Sequence, residues 1–177
     1  ESMQPGKWRR DPVSKKGIAM GALWPKRVTP FVIERTNQFR VPPPPTLTSD
    51  EYSMEYYEVK ALGSNSVTVR DSWREFVGKF WAYDGTPSLC APGRLYIQLA
   101  HSIAHQLNYT LIDTARLIGT LAVALPDAGL SAWESKYYYS RERPVTAVRS
   151  TAFVDNNPNT LGDKDWEPLG APASHSG

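Results

Sequence analysis

Residues 110–139 constrain the fold more than any other stretch of this chain. The run "TLIDTARLIGTLAVALPDAGLSAWESKYYY" opens a helix near Thr110 and is apolar nearly all round as far as Leu125. A helix without a polar face must be covered on every side, which is the position of the central helix in a bundle. Pro126 interrupts the run, and an interior proline removes one hydrogen bond and crowds the preceding turn, so a kink or a split is expected there.

The other periodic segments agree. Thr48-Ser49-Asp50-Glu51 fits a capping box, in which the first hydroxyl and the fourth carboxylate satisfy each other's amides. Tyr52, Tyr56 and Val59 form the inward stripe of the helix that follows, with Gly63 ending it. Trp73, Phe76, Val77, Phe80 and Trp81 recur at i, i+3, i+4, i+7 and i+8, a second helix that stops near Asp84-Gly85. After a loop with Pro87, Cys90 and Pro92, Leu95, Leu99, Ile103 and Leu107 mark a third helix from about Gly93 to Leu107. No segment has strand period and no internal repeat is present, so the fold class is all-α, a helical bundle.

The two ends differ from this body. Residues 1–47 are basic and proline-punctuated, and Pro42 to Pro45 enforce an extended stretch without backbone donors. They read as an extended arm over the body, pinned by Trp8, Trp24, Phe31 and Phe39. Residues 48–149 are the helical body. Residues 150–177 have no period and read as an irregular loop or tail. At 177 residues the length suits a single helical domain, 1–177. The opening "ESMQPGKW" has neither an initiator Met nor an apolar signal core, which suggests a processed or trimmed start.

Charge and apolar run length narrow the function classes. Twenty Lys and Arg stand against 18 Asp and Glu, a net charge of +2, which is not the basic face of a nucleic-acid binder. The longest apolar run, Leu117 to Leu125, is far short of the roughly 20 residues of a membrane span. Cys90 stands alone and forms no internal disulfide.

Few residues suggest chemistry. His101 and His105 share a helix face at i, i+4, but no Glu follows the first and no third ligand is placed, so they read as satisfied or solvent-facing histidines and no metal site is assigned to this chain. His175 lies near the end, and Asn108-Tyr109-Thr110 is a glycosylation sequon. Lys136 and Arg143 are the sharper pair. Seven residues apart, they read as two turns on one helix face, with Trp133 preceding Lys136 on that face and Tyr137, Tyr138 and Tyr139 around them. A mobile ammonium with a planar guanidinium suits a tetrahedral oxyanion. On charge alone they could equally be solvated cations near a helix C-terminus.

At these residues the chain resembles the vanadium-dependent haloperoxidase and type 2 phosphatidic acid phosphatase superfamily, whose first signature is Lys, six residues, Arg-Pro. Here it reads Lys136-YYYSRE-Arg143-Pro144. The stretches "FRVPPPPTLTSDEYSMEYYEVKALG", "DAGLSAWESKYYYSRERPVTAVR" and "DWEPLGAP" resemble the haloperoxidase branch in the same order. The family's Ser-Gly-His segment and its later Arg and His do not occur, and the closing "SHSG" is no match in order. The resemblance therefore implies an N-terminal portion of a larger domain, with a second polypeptide as partner carrying the remaining motifs.

It further implies a vanadate cofactor, for which phosphate can substitute, held by Lys136 and Arg143, with Trp133 walling the pocket. The implied reaction is oxidation of halide by hydrogen peroxide, Lys136 polarising the bound oxidant. The implied location is secreted or periplasmic, without a membrane span or nucleic acid, and a homo-oligomer is left open. Phosphomonoester hydrolysis through a phosphohistidine and a non-catalytic helical scaffold are the alternatives.

Overall fold

A computed structural model describes residues 4–10, 24–66, 69–82, 92–150 and 155–169. Among these are six helices: α1 (Trp24–Arg27), α2 (Asp50–Leu62), α3 (Ser72–Trp81), α4 (Pro92–Gln106), α5 (Leu111–Tyr139) and α6 (Pro144–Arg149). The described residues hold no strand beyond two isolated antiparallel bridges, Lys7 with Arg141 and Ser64 with Pro168. The all-α, helical-bundle reading holds. None of the described helices is long and apolar enough to cross a membrane. The chain divides into two compact units, one from Glu1–Met20, Pro43–Ala82 and Tyr139–Gly177, the other from Gly21–Pro42 and Tyr83–Tyr138.

The first unit holds α2, α3 and α6, and α2 and α6 meet at a core of Tyr52, Tyr56, Val145, Val148 and Trp166, with Leu47 and Ala147 against it. The cap of α2 is Ser49, one residue later than expected, its Oγ accepting from the Tyr52 amide at 3.1 Å. The residue three on is then Tyr52 and not a carboxylate, so half of the capping box is missing. Gly63 does end α2, but in a right-handed conformation (φ −84°). Glycine is required there by space, because a Cβ would stand 2.6 Å from the Val59 carbonyl oxygen and 3.4 Å from the Trp166 ring.

The helix marked by Trp73, Phe76, Phe80 and Trp81 forms as α3, capped by Asp71, whose side chain accepts from the Arg74 amide at 2.7 Å. Its stripe, however, is exposed, the rings of Trp73, Phe76 and Phe80 stacking on one another at 5.7 and 6.3 Å. The expected stop near Asp84-Gly85 lies outside the described residues.

The tail departs most from expectation. Residues 155–169 are irregular, yet they are bonded to α2 and α6 along their length. Tyr56 Oη and Lys60 Nζ donate to the Leu161 carbonyl at 2.9 and 2.6 Å, and Trp166 Nε1 donates to the Lys60 carbonyl at 2.9 Å. Asn157 Nδ2 donates to the Leu47 carbonyl and to Ser53 Oγ, and the Asp163 amide to the Val148 carbonyl. A segment without period is still ordered when its polar groups find partners and a large ring fills the core.

The second unit holds α1, α4 and most of α5. α1 is a helical turn inside the expected arm, which is therefore not extended throughout. The buried residues of α4 are Ala100 and Ala104, whereas Leu99, Ile103 and Leu107 are exposed. α4 ends in a Schellman motif, the Tyr109 amide donating to the Ala104 carbonyl and that of Asn108 to His105, with Asn108 left-handed at φ 53°. His101 and His105 are solvent-facing.

α5 runs unbroken through Pro126, which does not split it. The lost hydrogen bond is one among many in a helix this long. Only Asp127, Leu130 and Ser135 of α5 are buried, so the helix is not covered on every side. The residues of the arm that lie along it are not held by aromatic burial, since Phe31 is 70% and Phe39 62% exposed. Trp8 is half-buried, and the Trp24 side chain lies outside the described residues. Backbone and charge do the holding. The amides of Phe31, Val32 and Ile33 donate to the Asp127 carboxylate at 2.8, 2.8 and 3.1 Å, Arg40 forms a two-point ion pair with Glu134, and the Val41 amide donates to Ser135 Oγ at 3.3 Å.

Candidate functional site

Lys136 stands one turn before the end of α5. Its Nζ lies 5.7 Å from the centre of the Trp133 ring, three residues earlier, so Trp133 and Lys136 do meet, as a cation–π pair. Both are half-buried. The neighbours between them are committed to the arm: Glu134 to Arg40, Ser135 to Val41, while the Arg40 guanidinium lies 3.5 Å over the Tyr138 ring. These contacts tie this end of α5 to residues 40 and 41 on both sides of Lys136 in sequence.

Arg143 is not on that helix. α5 ends at Tyr139, Ser140 adopts a left-handed conformation at φ 48°, and Arg143 is extended (φ −78°, ψ 153°) at the N-cap of α6. The expectation that Lys136 and Arg143 share a face of one helix two turns apart is therefore corrected. The cause is readable in part: a residue before proline is disfavoured in the α region, and Pro144 is well placed at the first position of a new helix. Lys136 belongs to the second unit and Arg143 to the first.

The Arg143 carbonyl accepts from the amides of Thr146 and Ala147 at 3.0 and 2.9 Å, and α6 buries Val145, Thr146 and Val148 beneath it. The connector before Arg143 is paired with the chain's beginning. The Trp8 amide donates to the Ser140 carbonyl at 2.8 Å, the Glu142 amide to the Gly6 carbonyl at 3.0 Å, and Lys7 Nζ to the Tyr139 carbonyl at 3.0 Å. Arg9 Nη2 and the Glu142 carboxylate form an ion pair at 2.7 Å, their side chains 12% and 6% exposed.

Behind this pair lies a polar cavity of ≈ 240 Å³, lined among others by Tyr52, Tyr56, Asp155 and Asn157. Burial, with the Glu142 charge adding to it, pushes the Tyr52 hydroxyl up to about 12. Burial raises Tyr56 as well, reinforced by Tyr52. Both stay protonated donors at neutral pH and are not candidate bases.

Sequence reasoning missed Arg9, Ser140 and Glu142. Glu142 sits inside the Lys–Arg–Pro spacing, but its partner is 133 residues away in a basic run with no period, and no local pattern announces such a pair.

The donor chemistry fits an oxyanion. An ammonium and a guanidinium offer hydrogen bonds and positive charge to bound oxygens. Among the described residues no group of three or more His, Cys, Asp or Glu could hold a bare metal ion. Lys136 and Arg143, as cations, can meet an oxyanion only through its oxygens.

Two comparisons bear on this arrangement. A family model described as the VCPO second helical-bundle domain matches residues 116–177, a range that contains Trp133, Lys136 and Arg143. Vanadium chloroperoxidase of Curvularia inaequalis is 30% identical over 160 residues, covering 80% of this chain. The chain spans 25% of that relative's length. Both findings support the vanadium haloperoxidase superfamily for this chain, and the Lys136-X6-Arg143-Pro144 spacing lies inside the stretch that the family model matches.

Proposed function

We propose that this chain supplies the cationic part of a vanadate site that oxidises halide with hydrogen peroxide, Lys136 and Arg143 being the residues that bind the oxyanion. The observation that carries the reading is that the Lys136-X6-Arg143-Pro144 spacing falls inside the matched helical-bundle region. Vanadate, when bound, supplies the electrophilic centre that activates peroxide toward halide. The chain's own contribution is electrostatic. Lys136 and Arg143 neutralise oxyanion charge where it is partly withdrawn from water, with donors placed before the reaction begins. Lys136 can also hold its proton toward the oxidant, and Trp133 limits where its ammonium can go. The remaining ligand comes from residues outside this chain, on the same or a second polypeptide.

The test is an orthovanadate titration followed by ⁵¹V NMR, with phosphate as competitor. Removing one partner of a hydrogen-bonded charge pair costs about 2–5 kcal/mol. Lys136→Ala and Arg143→Ala should therefore weaken binding tens- to thousands-fold while the circular dichroism stays helical. Arg143→Lys should recover only part of the loss, because an ammonium lacks two parallel donors. Parent-like binding by both alanine variants would sink the reading. Alone, the chain should show no bromide-oxidising turnover, and measurable turnover would mean that the missing ligand lies within it.

A further inference from the structure

The connector between α5 and α6 carries the clearest unassigned device. It is four residues long, 140–143, and its conformation is not self-supporting. Ser140 sits in the left-handed region, which a β-carbon disfavours, and Arg143 must stay extended ahead of Pro144. The segment Gly6–Arg9 supplies what the connector lacks. It takes the Ser140 carbonyl through the Trp8 amide, the Glu142 amide through the Gly6 carbonyl and the Tyr139 carbonyl through Lys7 Nζ. Gly6 itself is left-handed at φ 75°, and a Cβ there would be strained and would press on the Leu47 side chain at 3.1 Å, so glycine suits this register best.

The largely buried pair of Arg9 and Glu142, both of intermediate exposure as whole residues, closes the arrangement directly before Arg143. A buried ion pair is weak evidence for stability, but removing one partner strands the other in low dielectric. Glu142 also lines the polar cavity of ≈ 240 Å³, so a carboxylate released from Arg9 has open space beside it.

We propose that Gly6–Arg9 is a positioning element for oxyanion binding, with Arg9 and Glu142 the positioning residues that hold Arg143 at the start of α6. The inference rests on the oxyanion-binding reading of Arg143. Neither residue touches the anion. Each acts through the backbone of the connector, where a displacement of about 1 Å is enough to cost an oriented donor much of its effect.

The experiment is the same ⁵¹V titration with orthovanadate on the 177-residue chain, run well below each variant's melting temperature. Arg9→Ala and Glu142→Gln should weaken binding fivefold or more with parent-like circular dichroism. The exchanged pair Arg9→Glu with Glu142→Arg should regain at least half of that loss. Arg9→Lys, which keeps the charge, should fall between parent and Arg9→Ala, and decides the matter if Arg9→Ala does not fold. A merely structural pair would lower the melting temperature and leave the binding constant untouched. Affinities within twofold of the parent in Arg9→Lys and Glu142→Gln, with Arg143→Ala losing binding, overturn the positioning role and leave the Arg143 reading standing. Parent-like binding by Arg143→Ala, or no measurable binding by the parent, overturns both.

Discussion

Two irregular segments are fastened to long helices in opposite ways. Residues 155–169 lie on α2 by burying the Trp166 ring, whose Nε1 donates to the Lys60 carbonyl, and by accepting from Tyr56 Oη at the Leu161 carbonyl. Residues 31–41 lie on α5 by giving three amides to the Asp127 carboxylate and a guanidinium to Glu134, while Phe31, Val32 and Phe39 face water. The first fastening resembles a core and the second a set of charge-assisted hydrogen bonds. They should therefore fail under different insults: truncation of apolar volume for the first, acid for the second.

The largest effect is expected at Trp166. Trp166→Ala removes a buried ring and orphans the Lys60 carbonyl, and such changes cost about 3–5 kcal/mol. Urea unfolding of the first unit should show that loss, and an unchanged midpoint would mean the tail does not share its core. Asn157→Ala comes next, at about 1–3 kcal/mol, because Ser53 and the Leu47 carbonyl lose a common donor inside the fold. The same denaturation series reads it.

The acid test addresses the other fastening. Burial would raise the Asp127 carboxyl, but the amides of Phe31, Ile33 and Val32 outweigh it and hold the group below the usual carboxylate range. A depressed folded-state value makes its stabilisation complete above the unfolded value, about 3.9, and progressively lost as pH falls through the lower folded one. The melting temperature of the second unit should drop below about pH 4, and Asp127→Asn should flatten that drop while lowering the melt at neutral pH. A parent and variant with the same acid profile would contradict the amide clamp. The smallest effect is Phe31→Ser, expected within about 0.5 kcal/mol because the ring is exposed. A loss several times larger would show that the arm is held by its aromatics after all.

Legibility follows the same divide. Trp73, Phe76, Phe80 and Trp81 announced α3, and Leu95 to Leu107 announced α4, because helical period is local. Which face a helix buries was legible for α2, where Tyr52 and Tyr56 are buried, but not for α3 and α4. In α4 two small alanines are buried and the leucines are not, and in α3 the aromatic stripe faces water. Period reports what a helix could bury, and burial needs a partner surface.

The candidate site divides likewise. Lys136, Arg143 and Pro144 were readable as a spacing, and the proline alone argued against a continuous helix through Arg143. The left-handed Ser140 and the Arg9–Glu142 pair were not, since their partners lie more than a hundred residues away in sequence. By itself, then, the sequence determined α2 to α5, the two ends of α2 to within a residue, and the cations suited to an oxyanion, because these depend on neighbours within a turn or two. The tertiary structure alone decided where α5 stops, how the start of α6 at Arg143 is held, and that an unpatterned tail and a basic N-terminal segment brace it. Those outcomes come from hydrogen bonds and ion pairs between residues far apart in the chain, whose free energy no local period encodes.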